Sequence, residues 1–561
     1  MHCDPCSRCP ASGWLRFGLL VELIAAIIFV VTGCSTGNSS TAMSNSPAPT
    51  PRQVLILPNV GTQDLNYLDP AQEPDANDPA QGPDPNSALA LSMLYSGLVR
   101  IDKDLNVIPD QATWEISPDG RIYTFHLKSN IAFSDGTPVT AATYVYSLTR
   151  ALLPEVKSPL AAVLEKPIQG ASAVSSGKSR VLTGIQALDR YTLRITLTQP
   201  TPYFLASLTN ELFFPVNQQL IERYGQSGWT EHAAGNGLGC GPFMVKAWEH
   251  NVKMILVPNP HYYGARPRLS EVDMIFVNDP ATAYQQYRAG QFSLIWNIPQ
   301  SDLAAARGLA GFVSNPQQET DMLFFNTDMP PFDNATVRQA FAYALDRTTL
   351  VQTLLKGAAI SAPTLIPPGL PGYQTDYQGL PFDAEKAREL LHSVYPDTAL
   401  IPPIVLTYPT ALLSRSEANA LCSMWSSVFN IPVKPLPVEL NAYTDELSQH
   451  QVQLGFIQWY ALYPDPHNWL APNLLSSALH NESRWQNSTF DQLIAQADQT
   501  SGEARFALYQ QAEQLAIEEA AVLPLDHETI NAIIPPWVHG ISLNARGLYV
   551  EDWSQVYLSP H

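Results

Sequence analysis

"LYSGLVRIDKDLNVIPDQATWEISPDGRIYTFHLKSNIAFSDGTPVTAATYVYSLTRAL", Leu94 to Leu152, decides how the rest of the chain is read. Within it, LYSGLVRID and RIYTFHLKSN alternate apolar and polar residues over short runs, the period-2 pattern of strands with one face buried. Upstream, QVLILPNV (Gln53 to Val60) has the same pattern, and downstream so does YTLRITLTQ (Tyr191 to Gln199). Helical runs are interleaved with these strands. NATVRQAFAYALDRTTLVQTLLKG predicts one helix that starts at the N-cap Asn334, carries Val337, Phe341 and Leu345 on one face and stops at Gly357. GEARFALYQQAEQLAIEEA predicts a second, from Gly502 to Ala520. Strands and helices mixed without regular alternation indicate an α/β protein of several lobes.

Size and charge agree with that class. The chain has 561 residues, and a prior of roughly 150 residues per domain gives about three or four units. Hydrophobic residues make up 45% and charged residues 15%, which is a globular rather than a disordered balance. Aspartate and glutamate number 51 against 31 lysines and arginines, a formal charge of -20. That sign argues against nucleic acid or an anionic lipid surface as partner, since either repels it.

The first residues read as an export leader. Arg8 and Arg16 precede FGLLVELIAAIIFVVTGC, whose apolar run of about 15 residues, broken only by Glu22, is short of the roughly 20 that span a bilayer. Residues 1–33 are read as a signal peptide, with an uncleaved signal anchor as the alternative. Val31-Thr32-Gly33-Cys34 resembles the lipobox of bacterial lipoproteins, which implies lipid on Cys34. Residues 34–50 are a Ser/Thr/Pro-rich tether. Cys3, Cys6 and Cys9 fall in the leader, which leaves Cys240 and Cys422 for the body. Their distance along the chain does not establish a disulfide.

Motifs for catalysis or metal binding are weak. DPAQEPDANDPAQGPD repeats an Asp-Pro-Ala-Gln unit at Asp69 and Asp78, but its prolines and spacing do not suit an EF-hand, so no calcium is expected. GNGLGCGPF, Gly235 to Phe243, reads as a turn because Pro242 follows its glycines and no helix opens there. In LDHETI, Asp526, His527 and Glu528 alternate faces of a strand, so only Asp526 and Glu528 line one surface. No H-E-x-x-H or G-x-S-x-G motif occurs; no cofactor, metal or catalytic residue is assigned, and binding leads over catalysis.

The opening stretch, together with GCGPFMVKAW, NPHYYGARPRLSEVDMIFV, YRAGQFSLIW and FFNTDMPPFDNATVRQAFAYALDR, resembles the family 5 extracellular solute-binding proteins, which include the dipeptide and oligopeptide receptors of ABC importers. The resemblance implies a type II periplasmic-binding-protein fold, with two cleft-forming lobes hinged together and a small inserted domain. It divides the chain into a main lobe (51–110, 185–318 and 530–561), an inserted lobe (111–184) and a second cleft lobe (319–529). It also implies a monomer that captures a peptide and hands it to importer permease subunits at the outer face of the cytoplasmic membrane, touching the membrane only through its lipid.

Ligand contacts are expected from Trp459, Tyr460 and Leu462 in IQWYALYPDP, from Ser96 and Leu98 in LYSGLV, and from Trp296 and Asn297 in IWN. Peptide-binding relatives commonly carry an aspartate in the fourth position of the Trp-x-x-Asp stretch, where it meets the ligand's ammonium. Here that position is Leu462, and Asp465 is a candidate substitute, with a turn cap between two prolines as its alternative role. The missing charge keeps other solutes open, an oligosaccharide or a metal chelate, as well as a peptide-sensing receptor and, more weakly, a secreted hydrolase.

Overall fold

QVLILPNV forms β1 (Val54–Val60), with Leu55 and Leu57 fully buried. The computed structural model describes residues 53–75 and 84–560. The leader, Cys34, the tether and Asp78 lie outside them. α1 (Pro85–Leu94) begins where the Asp84 carboxylate accepts from Asn86 N and Ser87 N, and Pro85 fits the first helical position. The opening stretch then supplies β2 (Ala112–Ile116), β3 (Ile122–Leu127) and α2 (Ala141–Ala151). With β4 (Ile185–Ala187) and β5 (Thr192–Thr196), these strands make an antiparallel sheet in the order β2-β3-β5-β4, over a core containing Phe125, Tyr144 and Leu193.

The chain returns to β1 afterwards. β6 (Phe243–Glu249), β7 (Lys253–Pro258) and β8 (Glu271–Val277) complete a second sheet, β1-β8-β7-β6, in which β1 and β8 run parallel and Val54 faces Glu271. The glycine-rich stretch before β6 is the expected turn. Gly241 N donates to Leu94 O at 2.9 Å, and a Cβ on Gly239 would lie 2.0 Å from that oxygen, so only glycine lets the turn approach the end of α1. Asp69, from the acidic repeat, joins these parts through a bidentate pair with Arg150 of α2, at 2.9 and 2.5 Å, and also accepts from Trp229 Nε1 at 3.2 Å.

The largest sheet holds β9 (Ile295–Trp296), β10 (Phe312–Pro316), β11 (Glu319–Phe325), β12 (Ala359–Ser361), β13 (Ile404–Pro409), β14 (Val433–Val438), β15 (Leu454–Tyr460) and β16 (Val522–Ile533). Its main path is β9-β16-β11-β15-β13-β14, and β10 and β12 also pair with β16. Both faces of β11 are covered: Leu323 and Phe325 enter one core, Met322 and Phe324 another. This explains the continuous apolar run in its sequence. β16 pairs at its start with β11 and at its end, from Thr529 to Ile533, with β10. The lobe boundary proposed from the sequence cuts this strand between Thr529 and Ile530.

One predicted helix is in fact broken. Asn334 caps α3 (Ala335–Tyr343), but the helix ends there, and α4 (Arg347–Leu350) starts anew where Asp346 Oδ1 accepts from Thr349 N at 2.9 Å. An aspartate able to cap competes with continuation of the helix. The break lets Arg347 enter the protein and donate to Pro524 O and Leu380 O. The Gly502–Ala520 prediction corresponds to α5 (Glu503–Glu518).

Candidate binding cleft

A cavity of about 610 Å³ is walled by β11, β15 and β16 on one side and by the segments around Ser96, Glu211 and Trp296 on the other. Further wall comes from the C-terminal stretch Arg546–Trp553. Strand periodicity decides which side chains of β15 reach it. Gln458 and Tyr460 line the cavity, and Trp459 points the other way. Trp459 is 4% exposed, its Nε1 donates to Asn468 O at 2.8 Å and its ring meets His480 edge-on. The expectation that both neighbours touch ligand is corrected for Trp459, because successive strand side chains point to opposite faces.

Ser96, Trp296, Asn297, Tyr460 and Leu462 line the cavity. Asn297 adopts φ 54°, a left-handed conformation that asparagine tolerates at the end of β9. Leu98 does not line it. Its side chain, 1% exposed, packs in the core of the small sheet, two residues beyond Ser96. Asp465 is also removed from the ligand wall. Arg505 of α5 grips it at 2.7 and 2.6 Å, and Asp465 Oδ1 accepts from His467 N at 3.0 Å. The turn role holds, and the buried charge already has its counter-ion, so Asp465 does not substitute for the charge absent at Leu462.

The ladder between β15 and β11 runs from Leu454 to Tyr460, whereas the ladder to β13 covers only Leu454 and Gly455. The cavity end of β15 is therefore held by a strand on one edge only. Beside it stand four carboxyls that the sequence does not bring together. Glu319 and Glu528 line the cavity within interacting distance of each other, and Asp321 faces Asp526 across β11 and β16. Burial, then repulsion within the group, pushes Glu319 and Asp321 above the usual carboxylate range and Asp526 up to about 8, and burial, opposed by Glu319 and aided by Glu417, raises Glu528. Glu528 is open to the cavity, whereas Glu319 is buried.

On the opposite wall Asn210 Nδ2 donates to Glu73 Oε1 at 3.0 Å, and burial, then the neighbouring Glu211, holds Glu73 well above the usual range. Arg546 stands 3.9 Å from Glu211 and donates to Thr209 O at 3.4 Å. These residues are scattered between 73 and 546, so composition gave no sign of their meeting. The one available signal was parity: Glu319 and Asp321 head an apolar strand with the spacing that Asp526 and Glu528 have in LDHETI.

The model of bacterial extracellular solute-binding proteins, family 5, matches residues 106–481. The chain belongs to this family. The probable deoxycholate-binding periplasmic protein YgiS of Escherichia coli (strain K12) is 32% identical over 479 residues, covering 83% of this chain and 88% of that protein. The oligopeptide-binding protein OppA of Bacillus subtilis (strain 168) is 27% identical over 556 residues, covering 96% and 98%. Among solved structures, the unliganded open form of MppA, a periplasmic murein tripeptide-binding protein, superposes with a TM-score of 0.78 at 28% identity, covering 91% of this chain and 98% of that one. These neighbours share the type II periplasmic-binding fold expected from the sequence, and the cavity of this family 5 protein lies against its largest sheet.

Proposed function

We propose that this protein binds peptides in the cleft, extracytoplasmically, and delivers them unchanged to an ABC importer. In this reading it acts as a monomer tethered through lipid on Cys34. The observation that carries the reading is the end of β15: a strand paired on one edge, with Gln458 and Tyr460 turned into the cavity, is suited to an extended peptide docking as an added strand. Main-chain hydrogen bonds of that kind tolerate many side chains, and a cavity of about 610 Å³ suits a short peptide. The peptide-binding names of several relatives support it.

Native mass spectrometry of protein purified without denaturation, then incubated with a peptide pool, tests this. Intact peptides bound at one per chain are expected. Steady peptide cleavage would make it a hydrolase, and retention of an oligosaccharide or chelate in preference to any peptide would replace the ligand class. Leu462 also predicts a contrast. Leu462→Asp restores a carboxylate at the relatives' position and should improve binding of free peptides over N-acetylated ones by about tenfold, measured by calorimetry.

A further inference from the structure

Leu462 leaves its position uncharged, and the strand paired with β15 carries what that position lacks. Ala461 N donates to Gln318 O at 3.0 Å, Gln318 Nε2 donates back to Ala461 O, and Glu319 is the cross-strand partner of Tyr460. Gln318 belongs to the cavity wall, is 1% exposed, and its Oε1 has no hydrogen-bond partner among the described residues. With its amide nitrogen spent on Ala461, the orphaned oxygen asks for a donor. Glu528 of β16 completes the group, beside Glu319 and exposed in the cavity. The charges acting on the two are acidic: Glu528 and then Asp526 on Glu319, and Glu417 on Glu528.

We infer that Gln318 Oε1, Glu319 and Glu528 form the subsite for a cationic donor group of the bound solute, an ammonium or guanidinium, an inference that rests on the cleft holding peptide. A group with several N–H donors offers a hydrogen bond to the amide oxygen and a counter-charge to the carboxyls. A metal ion fits less well: among the described residues no three His, Cys, Asp or Glu side chains are gathered to hold one. The titratable groups around the subsite are Asp321 on β11, Asp526 and His527 on β16, Tyr460 on β15, and Glu417. Of these, His527 is neutral and turned towards Thr320, and Arg546 acts on Tyr460. Burial raises Glu319 and Glu528 above the usual carboxylate range, so entry of a cation lowers them again and releases a proton to solvent.

The test uses the full chain with three sets of tri- to penta-alanine peptides: free amino termini, N-acetylated, and N-acetylated with one lysine. The free and lysine-bearing sets are the two sources of an ammonium, and the tighter of them should bind about tenfold better than the acetylated, lysine-free set. Glu319→Gln and Glu528→Gln should each reduce that preference to within about twofold. Calorimetry in buffers of different ionisation enthalpy should show proton release in the native chain and not in the variants. Equal binding of all three sets, or a preference that survives both variants, overturns the subsite and leaves peptide binding standing. If no peptide binds, the peptide reading falls, and the subsite is judged with argininamide at millimolar concentration. Its stabilising shift in the thermal melt must be present in the native chain and lost in Glu528→Gln, the variant at the exposed carboxyl and hence least disruptive of folding, and its absence overturns the proposal.

Discussion

Asp465 shows how a single residue's role turns on a partner far along the chain. Set between Pro464 and Pro466 it reads as a turn residue or a ligand anchor, and the structure uses it for the turn and for Arg505. Both side chains are nearly buried, 8% and 5% exposed, so removing one leaves the other charged and unpaired. Asp465→Asn should therefore cost about 3 kcal/mol or more of stability, read as a shift in the urea midpoint, with peptide affinity altered little once folded. A large loss of affinity in folded Asp465→Asn would return this carboxylate to the site. Gly239 makes a complementary case. Gly239→Ala sets a methyl against Leu94 O, and the thermal midpoint should fall by several degrees.

At the scale of elements, β11 and β16 carry an unusual electrostatic load. Burial first, then repulsion from neighbouring carboxyls, raises Asp321 and Asp526 where they face each other across the antiparallel pair, so the folded state holds protons there. Asp526 titrates at about 8 when folded against an ordinary 3.8. Because the folded pKa is the higher one, the stabilisation is complete below the ordinary value and is lost as pH rises through the folded one. The ligand-free protein should therefore melt at progressively lower temperature as pH rises from about 5 to about 9. Asp526→Asn should flatten that slope, as measured by calorimetric scans across the range. A slope unchanged in Asp526→Asn would mean that another group dominates; Glu513, buried and raised to about 7, is the next to examine.

For the whole molecule, specific contacts join segments far apart in the chain. Tyr203 stacks 3.8 Å from His467 and 5.6 Å from Tyr463, bringing the segment after the small sheet against the segment after β15. Tyr549 donates to Ile101 O at 3.1 Å, and Arg100 to Glu551 O at 2.7 Å, so the C-terminal stretch closes on the opening one. If lobes close on peptide about the long strand β16, saturating peptide should lower the radius of gyration measured by small-angle scattering. Tyr203→Ala should weaken binding by up to about tenfold, through loss of stacking energy of order 1 kcal/mol. An affinity unchanged in Tyr203→Ala would show that the stack stabilises the body without favouring closure.

The sequence by itself determined the family, the mixed α/β class and a handful of strands, β1, β3 and β5 among them, because these follow from local periodicity and from motifs several residues long. It also placed Tyr460, Leu462, Ser96, Trp296 and Asn297 on the cavity wall. Tertiary structure decided which strand face each residue occupies, which carboxylate already has its arginine, and that Glu319 meets Glu528. Those facts depend on the pairing of segments far apart in the chain, and charge and burial have meaning only once that pairing sets what each side chain touches.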